Sequence, residues 1–240
     1  MDLTVGAVAA MVAASAIGGT IQGALGFGMN LVSVPVFALV LPAALPVTVI
    51  VLGIPIAIWM VRYERHAIDR VGVGWIIAGR VPGTIVGVWV VATVSTSMLQ
   101  SLAGAIVLLL VVASVAMPPL RVRPESQIGA GIVSGFTGTS AGIGGPPLAL
   151  LYQHHPGSTM RSTLAASFFF GTLLSLAVLG AARQVGVEQL LLGVGLAPVV
   201  VAGSVLGRRL HPHLEGGWLR AAVLVFAGIT AVTALVHGIV

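Results

Sequence analysis

The chain has 240 residues, of which 58% are hydrophobic and only 7% charged, with a mean hydropathy of +1.11. Soluble globular chains carry about 25% charged residues, so a soluble fold is excluded and an all-α polytopic membrane protein is expected. Eleven arginines and no lysine stand against six acids, but the arginines sit singly or in pairs between apolar runs, so the pI of 11.4 reflects membrane topology and no nucleic-acid partner is expected. With no cysteine, disulfides and thiolate chemistry are excluded.

A membrane-spanning helix needs about 20 apolar residues to cross about 30 Å of hydrocarbon. In chain order the apolar blocks are Leu3–Leu41, Pro46–Val61, Val71–Val94, Met98–Met117, Ile128–Tyr152, Thr163–Ala182, Gln189–Leu206 and Trp218–Val240. Met-Asp-Leu-Thr at the start has no basic segment and no clear cleavage site, so the first block is read as mature protein. All blocks should be helical, because backbone in lipid must satisfy its own hydrogen bonds and no alternating barrel pattern is present.

Two blocks are not plain spans. Gly18 to Asn30 holds five glycines, and Gly131 to Pro147 holds six glycines, two prolines and four Ser or Thr residues. Each interior glycine destabilises a helix by roughly 1 kcal/mol relative to alanine, so broken helices or re-entrant hairpins are expected, with two full spans per block as the alternative. The two segments also match each other. At an offset of 112, Gly19, Gly23, Gly26 and Pro35 fall on Gly131, Gly135, Gly138 and Pro147; at 120, Gly83 and Gly87 fall on Gly203 and Gly207. The chain therefore divides into two half-repeats, 1–120 and 127–240. Each is a glycine-broken segment plus three helices, the middle one with a Gly-x-x-x-Gly pair suited to close packing.

Arginine placement selects a topology. If each broken segment enters and leaves on one side, Arg62, Arg65, Arg70, Arg121, Arg123, Arg161, Arg208, Arg209 and Arg220 share a face and only Arg183 lies opposite, with Arg80 inside a helix. The halves are then inverted, and both termini face outside in a cell inner (cytoplasmic) membrane.

Inverted repeats with matching helix breaks point to a secondary transporter. A broken helix exposes N–H groups that have lost their i−4 partners, and a half-helix N-terminus adds a positive dipole end, which suits a small anion. Candidate lining residues are Gln22, Asn30 and Ser33 in the first segment and Ser134, Thr137, Thr139 and Ser140 in the second; the competing reading is that hydroxyl residues merely pack helices or bond their own carbonyls. Arg80 has two readings, a functional intramembrane cation or a side chain snorkelling to the surface. His154 and His155 follow the second break and read as interfacial, and His211 and His213 as loop. No catalytic constellation, metal site or cofactor motif is found, and no acid lies within a span to carry a proton.

The string GGTIQGALGFGMNLVSVPVFALVLP from Gly18, its partner GIVSGFTGTSAGIGGPPLALLY from Gly131, and Arg161-Ser-Thr-Leu-Ala-Ala-Ser resemble the TauE/SafE family, the sulfite exporter and related permeases. The resemblance implies an inner-membrane carrier of sulfite, of sulfonates such as sulfoacetate, or of other small sulfur-containing anions. By motif it implies that Gly23, Gly26 and Pro35, with Gly138, Gly142, Gly144, Gly145 and Pro147, line the breaks. Three glycines are expected where this chain has Gly28-Met29-Asn30, so the two breaks are expected to be unequal.

Together these readings give an alternating-access carrier, not an enzyme, in which amides at the paired breaks hold a small anion, with Arg80 assisting. Its partners are the anion and the bilayer, with proton coupling and a homodimer as open options. The rivals are a non-transporting membrane scaffold and a carrier of a different small solute.

Overall fold

The computed structural model describes residues 4–116, 120–210 and 218–239, leaving Leu3, Met117, Val240, His211 and His213 outside the described residues. Among the described residues ten α-helices follow in order: α1 Val5–Leu25, α2 Met29–Val40, α3 Val47–Glu64, α4 Arg70–Thr93, α5 Thr96–Ala116, α6 Pro124–Ser140, α7 Gly145–Tyr152, α8 Gly157–Ala181, α9 Val187–Leu210 and α10 Trp218–Ile239. No strand occurs among the described residues. Among the described residues, five helices are long and apolar enough to cross a bilayer. Exposed Trp89, Leu109, Leu191 and Val225 on the outer surface are suited to lipid and not to water.

Both glycine-rich blocks fold as helical hairpins. After α1 the chain turns through Gly26 and Gly28, at φ 87° and 110°, conformations that side chains other than glycine rarely adopt. α2 then runs back along α1, so that Ser33 Oγ donates to the Ala14 carbonyl and Gly18 lies against the Met29 carbonyl. After α6 the chain turns through Gly142 at φ 78°, and the Thr137 carbonyl accepts from both Ala141 N and Ile143 N. α7 returns far enough for Tyr152 OH to accept from Gln127 Nε2 at 2.8 Å, near the start of α6. The return arms have 12 and 8 residues. At 1.5 Å per residue they extend about 18 and 12 Å, too short to be full spans.

Glycine determines how the hairpins are seated. α1 packs parallel to α9, with Gly19 on the Val200 backbone, Gly23 on Ser204, Gly203 on Ala16 and Gly207 on Thr20. α6 packs parallel to α4, with Gly79 on Ile128, Gly83 on Ile132, Gly131 on Ile76 and Gly135 on Arg80. A Cβ at any of these positions would strike backbone, which is how small residues let membrane helices approach closely.

Polar contacts fix the two ends of the bundle. At one end Asp69, capping α4, accepts from Gly72 N (2.8 Å), Tyr152 OH (2.7 Å) and Gln127 Nε2 (3.3 Å), while its own N–H donates to Thr163 Oγ1 on α8. At that end too the Arg208 guanidinium lies 4.7 Å from the centre of the Tyr63 ring. At the other end Gln189 Nε2 donates to the Ala43 carbonyl and Thr48 Oγ1 to the Gln189 carbonyl. Arg62, Arg65, Arg70, Arg121, Arg123, Arg161, Arg208 and Arg209 thus gather at the first end, and Arg183 sits at the second.

Candidate functional site at the hairpin tips

The hairpins enter from opposite ends and their tips meet: Asn30 Nδ2 donates to the Gly142 carbonyl. Residues 30 and 142 are themselves related by the offset of 112. Arg80 lies beside this junction. It is ten residues into α4, about 15 Å from the helix start and so at mid-depth of a hydrocarbon core of about 30 Å.

The Arg80 side chain is 2% exposed and runs inward, which removes the snorkelling reading. Its Nη1 donates to Ser134 Oγ at 2.8 Å, and Ser134 Oγ donates in turn to the Gly144 carbonyl at 2.6 Å. Nη2 borders Gly138, and Nε is buried without an acceptor. Any side chain at Gly171 of α8 would collide with the guanidinium, so this glycine creates its space. No carboxylate lines the site among the described residues. An ion without a counter-charge in a low-dielectric interior costs several kcal/mol, so the site is poised for an anion.

Backbone donors without acceptors occur at both tips. In the second tip the N–H groups of Gly142, Gly144 and Gly145 have no acceptor among the described hydrogen bonds; in the first, neither do those of Phe27, Gly28 and Asn30. Gln22 Oε1 already accepts from Met29 N at 3.1 Å. Pro146 and Pro147 occupy α7's first turn, where a missing N–H removes no helical bond. A cavity of about 50 Å³ lies between the tips, walled also by Ile50 and Gly53 of α3 and by Phe168, Thr172 and Ser175 of α8. About 10–15 Å³ of such space holds one water, so the cavity suits a few waters or one small oxyanion. Thr139 links its wall to α8 and α4, lying 2.8 Å from Ser175 Oγ and 3.4 Å from Thr84 Oγ1.

Seven candidates from the sequence, Gln22, Asn30, Arg80, Gly138, Gly142, Gly144 and Gly145, come together at this cavity. The others shape the hairpins without lining it. Gly23 packs on α9, and Gly26 turns the chain against Arg161. Ser33 bonds α1; Pro35 and Pro147 are buried within α2 and α7. Thr137 Oγ1 bonds the Val133 and Ile143 carbonyls, and Ser140 Oγ bonds Phe136. His154 and His155 are exposed beyond α7. Sequence reasoning missed Thr172 and Ser175, whose signal is a small polar stripe, Gly171-Thr172 with Ser175 one turn on, in an apolar helix.

A chain that is all helix among its described residues, with an apolar exterior, defines a polytopic membrane protein. The family model "Sulfite exporter TauE/SafE" matches residues 11–234, nearly the whole chain, and the protein belongs to that family. Comparison with curated proteins and with solved structures finds no match.

Proposed function

We propose that the protein carries a small sulfur-containing oxyanion, sulfite or an organosulfonate such as sulfoacetate, across the cell inner membrane. The carrying observation is the buried Arg80 guanidinium, with no carboxylate beside it, at the junction of two hairpin tips whose backbone N–H groups lack acceptors. Arg80 supplies the charge, and the amides of Gly142, Gly144 and Gly145 add directed donors to the anion's oxygens.

The halves 1–120 and 127–240 act as inverted repeats. Supporting this, the offsets that relate the halves exchange the α1–α9 pair with the α6–α4 pair. Alternating access is then rocking of one hairpin and its parallel partner against the other. By the positive-inside rule the arginine-rich end faces the cytoplasm and both termini face outside. Coupling runs through the proton gradient or the anion's own gradient.

The test is flux of labelled sulfite and sulfoacetate into liposomes holding the purified protein. Arg80→Gln, Gly138→Leu and Gly142→Leu are each expected to abolish flux while leaving membrane insertion intact. Unchanged flux in all three would remove this site from the mechanism, and no flux in the unaltered protein would favour a scaffold.

A further inference from the structure

Resting on the anion-carrier reading above and narrowing it to sulfite over sulfoacetate, a dianion at neutral pH, we infer that the site takes a singly charged oxyanion that keeps a hydrogen-bond donor of its own, of which hydrogen sulfite is the simplest, and discriminates against dianions. Two features of the cavity carry this: the orientation of the Asn30 amide and the charge count.

The orientation of Asn30 is fixed by its partner. Turning the amide over would set two acceptor oxygens against each other, so Nδ2 must face the Gly142 carbonyl. That leaves Oδ1, which is buried and accepts from nothing in the protein. A buried carbonyl oxygen without a donor is costly, so an occupant that brings an O–H is favoured over one that brings only acceptors. The other side-chain acceptor in the first tip, Gln22 Oε1, is already engaged by Met29 N. The position related to Asn30 in the second half is Gly142, which has no side chain, so the acceptor belongs to one hairpin only.

Arg80 is the only charged side chain lining the cavity among the described residues. One positive charge neutralises one negative charge. A dianion would leave a net charge in a site with little dielectric screening, and the neutral hydroxyls of Thr172 and Ser175 do not offset it. The side chains are therefore polarised, the cation beside hairpin 2 and a lone side-chain acceptor on hairpin 1, while backbone N–H groups without acceptors lie at both tips. A hydroxyl-bearing monoanion complements both sides. A simple alkyl sulfonate satisfies the charge but leaves Asn30 Oδ1 unpaired.

The test measures binding of sulfite and of methanesulfonate to the purified full-length protein at pH values spanning the second ionisation of sulfite. Methanesulfonate stays a monoanion throughout and reports any titration of the protein itself. Above that ionisation, sulfite affinity is expected to fall about tenfold per pH unit as its monoanion is depleted. Methanesulfonate should bind more weakly with a flat profile, and sulfate should not compete. Asn30→Leu should collapse the ratio of hydrogen sulfite to methanesulfonate affinity. Sulfite affinity that is flat or rises with pH while both anions bind, or sulfate competing as well as sulfite, overturns the inference and leaves the anion reading standing. Binding of none of these anions at any pH overturns both.

Discussion

Gly131 of hairpin 2 rests on the backbone of α4 between Ile76 and Arg80, and Gly19 of hairpin 1 rests on the backbone of α9 at Val200. The two glycines correspond at an offset of 112, and Arg80 and Val200 at 120, so the seats are related while their chemistry differs. Arg80 reaches Ser134 and, through it, the Gly144 carbonyl. Val200 is fully buried and carries no polar group. The tips differ in the same way: glycines lead into α7, whereas Met29 and Asn30 open α2. Hairpins related in sequence at an offset of 112 meet beside Arg80, with the cation against one and an unpartnered side-chain acceptor on the other. The anchors at the two ends follow the pattern, an ionisable Asp69 holding α4 to hairpin 2 and a neutral Gln189 holding α9 to the end of hairpin 1.

The largest effect is expected from removing the asymmetry of charge. Arg80→Gln should lower anion affinity about 100-fold, the size expected for loss of charged hydrogen bonds worth about 3 kcal/mol, as read by titration calorimetry in detergent. Val200→Leu, the matching change on the other side, should leave affinity within a few-fold. Next comes the space around the cation: Gly171→Val should displace the guanidinium and depress both binding and thermal stability, by about 1–3 kcal/mol for the stability part. The helix seats should respond alike. Gly83→Ala and Gly207→Ala each drive a Cβ into the facing backbone, so both should lower the unfolding midpoint by similar amounts, and a clear inequality would show that one half of the scaffold bears more of the packing. The smallest effect is expected at Asp69→Asn, which keeps a helix cap but loses the charge that draws in Tyr152 and Gln127. A loss of about 1 kcal/mol in a denaturation series, without loss of anion binding at equilibrium, is expected.

Most of the fold was legible because membrane constraints are severe. Apolar runs of bilayer length must be helices, glycine clusters must interrupt them, and the arginines sort to one end of the bundle as their loops do. The Gly-x-x-x-Gly pairs at Gly83 and Gly203 do pack against backbone. The site was legible only in part. Clustered glycines leave a local signature, so the sequence pointed to Gly138, Gly142, Gly144 and Gly145, which line the cavity. Thr137, Ser140 and Ser33 looked equally eligible, yet each spends its hydroxyl on a nearby carbonyl. In a helix apolar on all sides no hydrophobic stripe marks the inward face, so only the small polar stripe itself pointed to Thr172 and Ser175 of α8, and nothing in the local pattern singled out Ile50 of α3.

By itself, then, the sequence determined the class of the protein, its helices, its two breaks and the sorting of its charges, because each follows from the cost of placing polar backbone or an ion in hydrocarbon. Only the tertiary structure decided where Arg80 points and which atoms meet it. A long side chain at mid-depth can run to either surface or inward, and its course depends on room made by a glycine on another helix, Gly171, and on an acceptor 54 positions along the chain, Ser134.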